Sequence, residues 1–487
     1  MRPMILPAVV LLGFLAPGVR ADEKNLLEQP LSEYKARRQA LMKRVKEADA
    51  GATLLRPRGG DGAAEGTRRS SGPVIVLVGE TEEHDDGRYR QLNDFLYLTG
   101  VTTPHAALIL RPAEGKEALY LPPRDKREEA WTGPKIGPGP EGVAATGIES
   151  VEPTSAFLGD LFDAIGDTGK RSSGHRPATI FLLTPDPQPN AGGPAAALAR
   201  LVKEGAPQAR SRDLAPLLGE LRKVKSPPEI ALLRRAIAIT GDAQAQAIRT
   251  IGPCVPEYKV EGAILGAFIS GGGMRAGFPS IIGSGPNSTI LHYNANRRTM
   301  QSGDMVVVDI GAEYSYYTAD ITRTYPVSGN FSPRQREIYQ LVLDCQSACA
   351  AEFKVGKSTL QTQNAFAKAY MARSPLRAKD EEGVEHTMDH FFIHGLGHYL
   401  GMDVHDVGET GKPCQPGEVF TIEPGIYIPG EGLGVRIEDD YLVTKDGLEK
   451  LSKDIPCEVE EIERRMAEAR GKRSETTARR ERVGPAP

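Results

Sequence analysis

Cysteine is scarce in this chain: five residues among 487, an odd number, with no CxxC pair. That excludes a zinc-knuckle scaffold and a disulfide-framed fold. Cys345 and Cys349 stand four apart in a helical pattern, a poor arrangement for an unstrained bridge. An exported chain could pair Cys414 with Cys457, but nothing in the sequence establishes it. An excess of one charge is also lacking: 60 basic against 64 acidic side chains leave −4. No polyanion-binding surface is implied, so a nucleic-acid partner is not expected. A membrane-length apolar run is missing too. Ile5–Leu15 spans eleven residues, which at ~1.5 Å each reach about 16 Å, half a bilayer core, so no stable membrane anchor is expected. No solenoid-type repeat is visible.

What the N-terminus does carry is an export signal pattern. Arg2 precedes the apolar run, Ala16-Pro17-Gly18 breaks it, and Val19-Arg20-Ala21 places small residues where a signal peptidase reads. Residues 1–21 are therefore expected to be removed, giving a periplasmic or secreted protein whose charge, without Arg2 and Arg20, is −6. A length of 487 residues exceeds one ordinary core, so two domains are expected. Residues 22–212 read as a mixed α/β domain. It has helix candidates at 31–45, 154–165 and 195–203, and strand candidates at 74–78, 95–98, 106–110, 118–121 and 178–183. The Gly-, Arg- and Ser-rich stretch Gly51–Gly72 reads as a loop or insertion. Leu214, Leu217, Leu218 and Leu221 form a helical stripe that reads as a linker. Ser226-Pro227-Pro228-Glu229 then opens a helix, with a cap, a proline at the first position and a capping-box glutamate. The second domain, with its leading linker helix, spans 213–466. Residues 467–487, basic and nearly devoid of apolar side chains, read as a disordered tail.

The second domain holds the chemistry. Met305–Gly311 and Thr318–Val327 have the composition of paired strands, and Asp309 and Asp320 are equidistant from a turn centred between Tyr314 and Ser315. They are expected to face each other across the ladder, where like charges destabilise a sheet. Glu418–Ile428 and Leu433–Val443 repeat the device, with Glu423 and Glu438 equidistant from a loop at Pro429–Glu431. Two such hairpins imply an internal near-two-fold arrangement. Two carboxylates ~5 Å apart repel by roughly 3 kcal/mol at an effective dielectric of 20. Four of them would consume much of the ~5–15 kcal/mol that holds a domain folded. Arg436 shares a face with Glu438 but cannot neutralise four acids; two divalent cations can. A nitrogen ligand is at hand, since five of nine histidines fall between His386 and His405. The glycines around His398 permit close backbone approach, and the carboxylate hairpins follow directly. His386 and His390 lack that support and read as ordinary histidines. One nitrogen among oxygens makes a hard site, suited to Mn²⁺, with Co²⁺ or Zn²⁺ as alternatives. Two such ions would hold a water that becomes hydroxide near neutral pH and attacks a carbonyl.

Together VVVDIGAEY, TADITRTYPV, HGLGHYLGMDVHD, TIEPGIYI and GVRIEDD closely resemble the pita-bread metallopeptidases of the aminopeptidase P and prolidase branch, across residues 226–465. RYRQLNDF and LYLTG, at 88–100, resemble the aminopeptidase P N-terminal domain. The resemblance implies an α+β pita-bread catalytic domain behind an α/β domain, and release of the first residue from peptides with proline second. It implies five metal ligands: Asp320 and Glu438 bridging two ions, Asp309 on one, His398 and Glu423 on the other. It further implies that Glu423 relays a proton and His405 stabilises the tetrahedral intermediate. His292 and His394 would line the proline side, and Arg436 would orient the carboxylates. A homodimer or homotetramer is implied by the same analogy. An Xaa-Pro bond has no N–H on its leaving nitrogen, so a ring-shaped subsite and a held amino terminus must do the positioning. Rival expectations are a dipeptidase confined to Xaa-Pro, and a metal-free binding module or creatinase-like hydrolase on the same fold. The latter would have lost ligand carboxylates, and none is missing here.

Overall fold

The run VIVLV forms strand β1 (Val74–Val78) in the computed structural model, which describes residues 27–54, 72–81, 89–166, 178–183 and 192–483. Beside it lie β2 (Ala107–Arg111), β3 (Lys116–Leu121), β4 (Ser150–Pro153), β5 (Thr179–Leu182) and β6 (Arg210–Asp213), in the order β4-β3-β2-β1-β5-β6. Alternation along β1 sends Ile75 and Leu77 into one apolar cluster and Val74 and Val76 into another. A strand covered on both faces needs no polar residue, hence its uninterrupted apolar run. Helix α1 (Leu31–Leu54) and α2 (Asn93–Thr99) pack on the first face; α3 (Phe157–Ile165) and α4 (Pro194–Gly205) cover the second.

Residues 95–98, expected as a strand, are the middle of α2. Phe95, Leu96, Tyr97 and Leu98 are all buried, and a short run apolar on every side carries no period to separate helix from strand. Gly100 ends the helix at φ 67°, donating its N–H to the Leu96 carbonyl. The expected export signal lies in residues 1–26, outside the described residues, as do 55–71 of the Gly-rich stretch and Arg88; residues 51–54 prolong α1.

Helix α5 (Ala215–Arg222) joins the halves and is more than a connector: Leu214 and Leu218 are buried in a cluster that also holds Leu41, Ile75, Leu400 and Met402. The Glu229 half of the expected capping box is present, the Ser226 N–H donating to Glu229 Oε2 at 2.9 Å, and α6 (Pro227–Thr250) follows, while Ser226 Oγ makes no hydrogen bond. Next come α7 (Glu257–Ser270) and a three-stranded sheet in which β8 (Met305–Ile310) lies between β7 (Ile281–Ser284) and β9 (Ile321–Pro326). After α8 (Pro333–Glu352) and α9 (Leu360–Ala372), β10 (Val419–Ile422) pairs with β13 (Asp439–Val443) and β11 (Gly425–Ile428) with β12 (Leu433–Arg436). The two halves of this domain repeat one device. From α6, the Gln244 amide donates to Val308 O and Ile321 O; from α8, the Gln346 amide donates to Ile422 O and Ile437 O.

The first hairpin departs from its expected register. Asp309 lies opposite Thr322, not Asp320. The turn is centred on Ser315-Tyr316, one residue later than expected, with φ 47° and 68°. A two-residue hairpin turn wants φ > 0 at both positions and normally recruits Gly or Asn, and neither residue type is there to announce it. Moving the centre by one shifts the register by two, which keeps both aspartates on one face as diagonal neighbours. In the second hairpin the expected register holds: Ile422 pairs with Asp439 and Gly425 with Arg436, leaving Glu423 and Glu438 in the interruption between.

Beyond Met466 the tail expected to be disordered is helical backbone, since α10 runs Val459–Val483. Its Glu-, Arg- and Ala-rich sequence favours helix, and Arg470 anchors it by donating to Val327 O at 2.7 Å. Residues 484–487 lie outside the described residues. All five cysteines are free, so Cys414 and Cys457 are not bonded. No helix among the described residues is long and apolar enough to cross a membrane.

Candidate metal centre

A cavity of about 530 Å³ opens between the hairpins, and every expected site residue lines it: His292, Asp309, Asp320, His394, His398, His405, Glu423, Arg436 and Glu438. Asp309 ends the buried VVVD run of β8, and Asp320 stands just before β9. Glu438 is fixed from β9, Thr322 Oγ1 donating to its Oε2 at 2.7 Å while its own N–H reaches Thr322 O at 3.1 Å. His398 sits on a segment that runs against β10: Thr421 N–H donates to His398 O and Glu423 N–H to Leu396 O. The approach is so close that a Cβ on Gly397 would fall 2.0 Å from the Thr421 carbonyl oxygen. Gly395, the other glycine beside these histidines, meets nothing and is not required for it.

His398 Nδ1 points to the Tyr399 carbonyl at 3.1 Å, which leaves Nε2 facing inward. That nitrogen lies 3.3 Å from Asp320 Oδ2, 3.6 Å from Glu423 Oε1 and 3.9 Å from Glu438 Oε1. The ligand atoms of Asp320, His398 and Glu438 lie within 4.8 Å of one another. Asp309 Oδ1, Asp320 Oδ1 and Glu438 Oε1 are buried without a hydrogen-bond partner. Buried carboxylate oxygens are rarely left so. Burial, then mutual repulsion, drives the carboxyl pKa values of Asp320 and Glu438 well up, and that of Glu423 to about 8 despite Arg436. Burial, reinforced by a neighbouring cation or imidazole, lowers His394 and His398 to about 4, and His405 is lowered also. Neutral imidazoles and crowded, orphaned carboxylates are the state that divalent cations convert into a satisfied one, so this donor set fits such ions.

Arg436 is the organising cation. Its Nη2 contacts Asp309 Oδ2 at 2.6 Å, Nη1 the Tyr427 hydroxyl at 2.8 Å, and Nε Thr322 Oγ1 at 3.3 Å. His394 Nε2 shares that hydroxyl at 2.8 Å. Tyr427 and Thr322 are not among the residues expected at the site, although Tyr427 lies four residues from Glu423 on one strand face and could have been found by alternation. Behind the site Arg323 is fully buried; it donates to Asp439 Oδ1 at 2.7 Å and to Glu438 O at 2.7 Å. The adjacent carboxyls therefore diverge. Burial raises both, but Arg323 and Lys450 bring Asp439 below its usual value, while Asp440, which accepts the Asp320 N–H at 3.2 Å but is repelled by Asp439, stays well above. His386 and His390 form a separate cluster with Asp380. His386 Nε2 is 2.7 Å from Asp380 Oδ2, and the two rings stack 3.8 Å apart at 4°. The ligand atoms of Asp380, His386 and His390 lie within 4.8 Å of one another, a grouping not expected from the sequence, although parallel stacked rings share no in-plane point for one ion.

Fold and site together define a metal-dependent hydrolase. Residues 231–445 match the model of metallopeptidase family M24, and residues 34–171 match that of the aminopeptidase P N-terminal domain. The Xaa-Pro aminopeptidase of Escherichia coli strain K12 is 32% identical over 465 residues, covering 90% of this chain and 98% of that protein. The Haemophilus influenzae Xaa-Pro aminopeptidase is 34% identical over 419 residues, covering 81% and 93%. Among solved structures, proline aminopeptidase P II from Yersinia pestis has a TM-score of 0.73 at 30% identity, covering 90% of this chain and all of that one. Zinc-substituted E. coli aminopeptidase P in complex with product has a TM-score of 0.73 at 29% identity, covering 91% and 99%. The chain belongs to metallopeptidase family M24, in its aminopeptidase P branch, with the pita-bread catalytic domain of that family.

Proposed function

We propose that the protein releases the first residue of peptides whose second residue is proline, and that Asp309, Asp320, His398, Glu423 and Glu438 hold two divalent metal ions for that reaction. The carrying observation is the set of orphaned carboxylate oxygens crowded around His398 Nε2. When bound, such ions polarise a carbonyl and bring the pKa of water toward neutrality. Asp320, Glu423 and Glu438 converge on His398, whereas Asp309 is tied to Arg436. This supports Asp320 and Glu438 as the shared ligands, His398 and Glu423 on one ion and Asp309 on the other. A hard, oxygen-rich set favours Mn²⁺, with Co²⁺ or Zn²⁺ as substitutes.

Glu423 is the most exposed of the carboxylates around His398, at 17% against 7% for Asp320 and 1% for Glu438. Its reach into the cavity suits a proton relay. His405, its ring centroid 4.2 Å from that of His398, is held neutral and can donate a hydrogen bond to the developing oxyanion. His292 and His394 border the side where the proline ring would lie, and Phe278, Leu291 and Val404 supply apolar wall. Arg436 keeps Asp309 aimed inward. In this reading the catalytic domain is 213–466 and the α/β domain 22–212, which contain the two family matches. The pattern in residues 1–21 supports export, and assembly as a homodimer or homotetramer rests on the family likeness. Arg-Pro-Pro and Gly-Pro, offered to the metal-loaded enzyme, test the substrate class: cleavage of the tripeptide is expected, and turnover of the dipeptide alone would overturn it.

A further inference from the structure

From the last residue of α5 toward α6 the segment Arg222-Lys223-Val224-Lys225 carries three cations, each in contact with an acid of the catalytic domain. Lys223 Nζ lies 3.3 Å from the buried Glu418, and Lys225 Nζ 3.0 Å from Asp406. Arg222 reaches furthest. Its Nη1 contacts Asp94 Oδ1 at 2.6 Å, and its Nη2 contacts Asp403 Oδ2 at 2.7 Å and Asp406 Oδ1 at 2.6 Å. Asp94 belongs to the N-terminal half, on α2. Its neighbour Asn93 adds bonds from Nδ2 to Asp403 Oδ1 at 2.7 Å and to Met402 O at 3.2 Å. The two aspartates gripped this way flank Val404 and His405, both of which line the metal cavity.

The gripped loop is itself tight. Asp406 N–H donates to Tyr399 O at 2.9 Å, the same carbonyl that receives His398 Nδ1, and Gly401 N–H donates to Asp403 O at 3.1 Å. A Cβ on Gly401 would lie 2.1 Å from Asp406 Oδ2. Arg222 is 5% exposed and Asp406 and Lys225 1% each, while Asp94 and Asp403 at 26% and 50% meet solvent, so the strongly held part of the clamp is the buried Arg222–Asp406–Lys225 cluster.

We infer that Arg222 is a positioning residue: with Asp94 it ties the N-terminal domain to the 403–406 loop and thereby holds His405 on the cavity. This rests on the role proposed for His405. Misplacing a reacting group by an ångström can cost on the order of 10²-fold in rate. Arg222→Met, assayed at saturating metal on a proline-second peptide, should lower kcat by about that factor with KM within about two-fold. Arg222→Lys, which keeps charge but not the fork, should recover only part. A His405→Ala background separates positioning from general damage. There Arg222→Met should cause no further loss, because both changes act through one imidazole. An undiminished kcat in folded Arg222→Met, or a full additional loss on top of His405→Ala, would overturn the inference. If Arg222→Met does not fold, Asp94→Asn, at the more exposed end of the clamp, takes its place in the same cycle: a lowered kcat that vanishes in the His405→Ala background supports the inference, and an undiminished kcat or a full additional loss overturns it. If His405→Ala alone leaves kcat intact, the role of His405 fails, and the inference fails with it.

Discussion

Replacing Asp320 by asparagine should inactivate the enzyme and yet stabilise it once metal is stripped away. With ligand atoms of Asp320 and Glu438 no more than 4.8 Å apart, two ionised carboxylates at an effective dielectric of 20 repel by about 3 kcal/mol. Protonating one instead costs about 1.4 kcal/mol for each pH unit above its unfolded-state pKa. Either way the metal-free wild type carries a penalty near pH 8 that an amide at 320 does not, so metal-free Asp320→Asn should be more stable by about 1–3 kcal/mol. Loaded with metal, the order reverses, because the variant has lost a ligand whose binding energy adds to folding. Urea unfolding of both proteins, with chelator and with Mn²⁺, reads the two differences directly. A chelated Asp320→Asn less stable than chelated wild type would refute this, since the Asp320 carboxylate would then contribute to the fold without any cation. Retention of normal turnover by the variant would refute it as well.

Chelated wild-type protein should also lose stability as pH rises. The folded pKa of Glu423 is raised from 4.5 to about 8, so its contribution is complete below pH 4.5 and gone above 8; thermal melts across pH 5–9 should show that decline, and metal should abolish it. Arg436→Met strands Asp309 and breaks a buried pair, costing about 3–5 kcal/mol by denaturant titration. Tyr427→Phe removes the hydroxyl shared by Arg436 and His394; a loss of about 1–3 kcal/mol in stability is expected, and an unchanged value would show the contact to be idle. Gly397→Ala forces its Cβ into the Thr421 carbonyl and should lower bound metal per chain, measured by elemental analysis.

How legible the site is from sequence depends on what kind of constraint each residue answers to. Asp309, Asp320, Glu423 and Glu438 are visible because acids inside apolar strands violate the ordinary pattern, and such violations mark function. His398 is visible by its glycine neighbour. The exact facing of Asp309 is not, since it depends on a turn at Ser315-Tyr316 with two positive φ values and no glycine. That turn is stabilised from a distance: the Gln91 N–H donates to Tyr316 OH at 3.0 Å, and Arg90 lies over the Tyr316 ring. Residues 95–98 defeat the strand reading for a similar reason, being apolar on all sides because two domains bury them. Arg323, Tyr427 and the clamp at Arg222 each join segments at least nine and up to 184 positions apart, and pairings of that kind leave no periodic trace. The helical tail escapes a reading by charge because charge composition says more about solvation than about backbone propensity.

The crowded acids of the cavity are a site for divalent cations. Anomalous scattering at the manganese edge, from crystals grown with Mn²⁺, tests this most directly. Two peaks bounded by Asp309, Asp320, His398, Glu423 and Glu438 are expected. Absence of signal there, with those carboxylates turned apart or paired to other groups, would contradict the account.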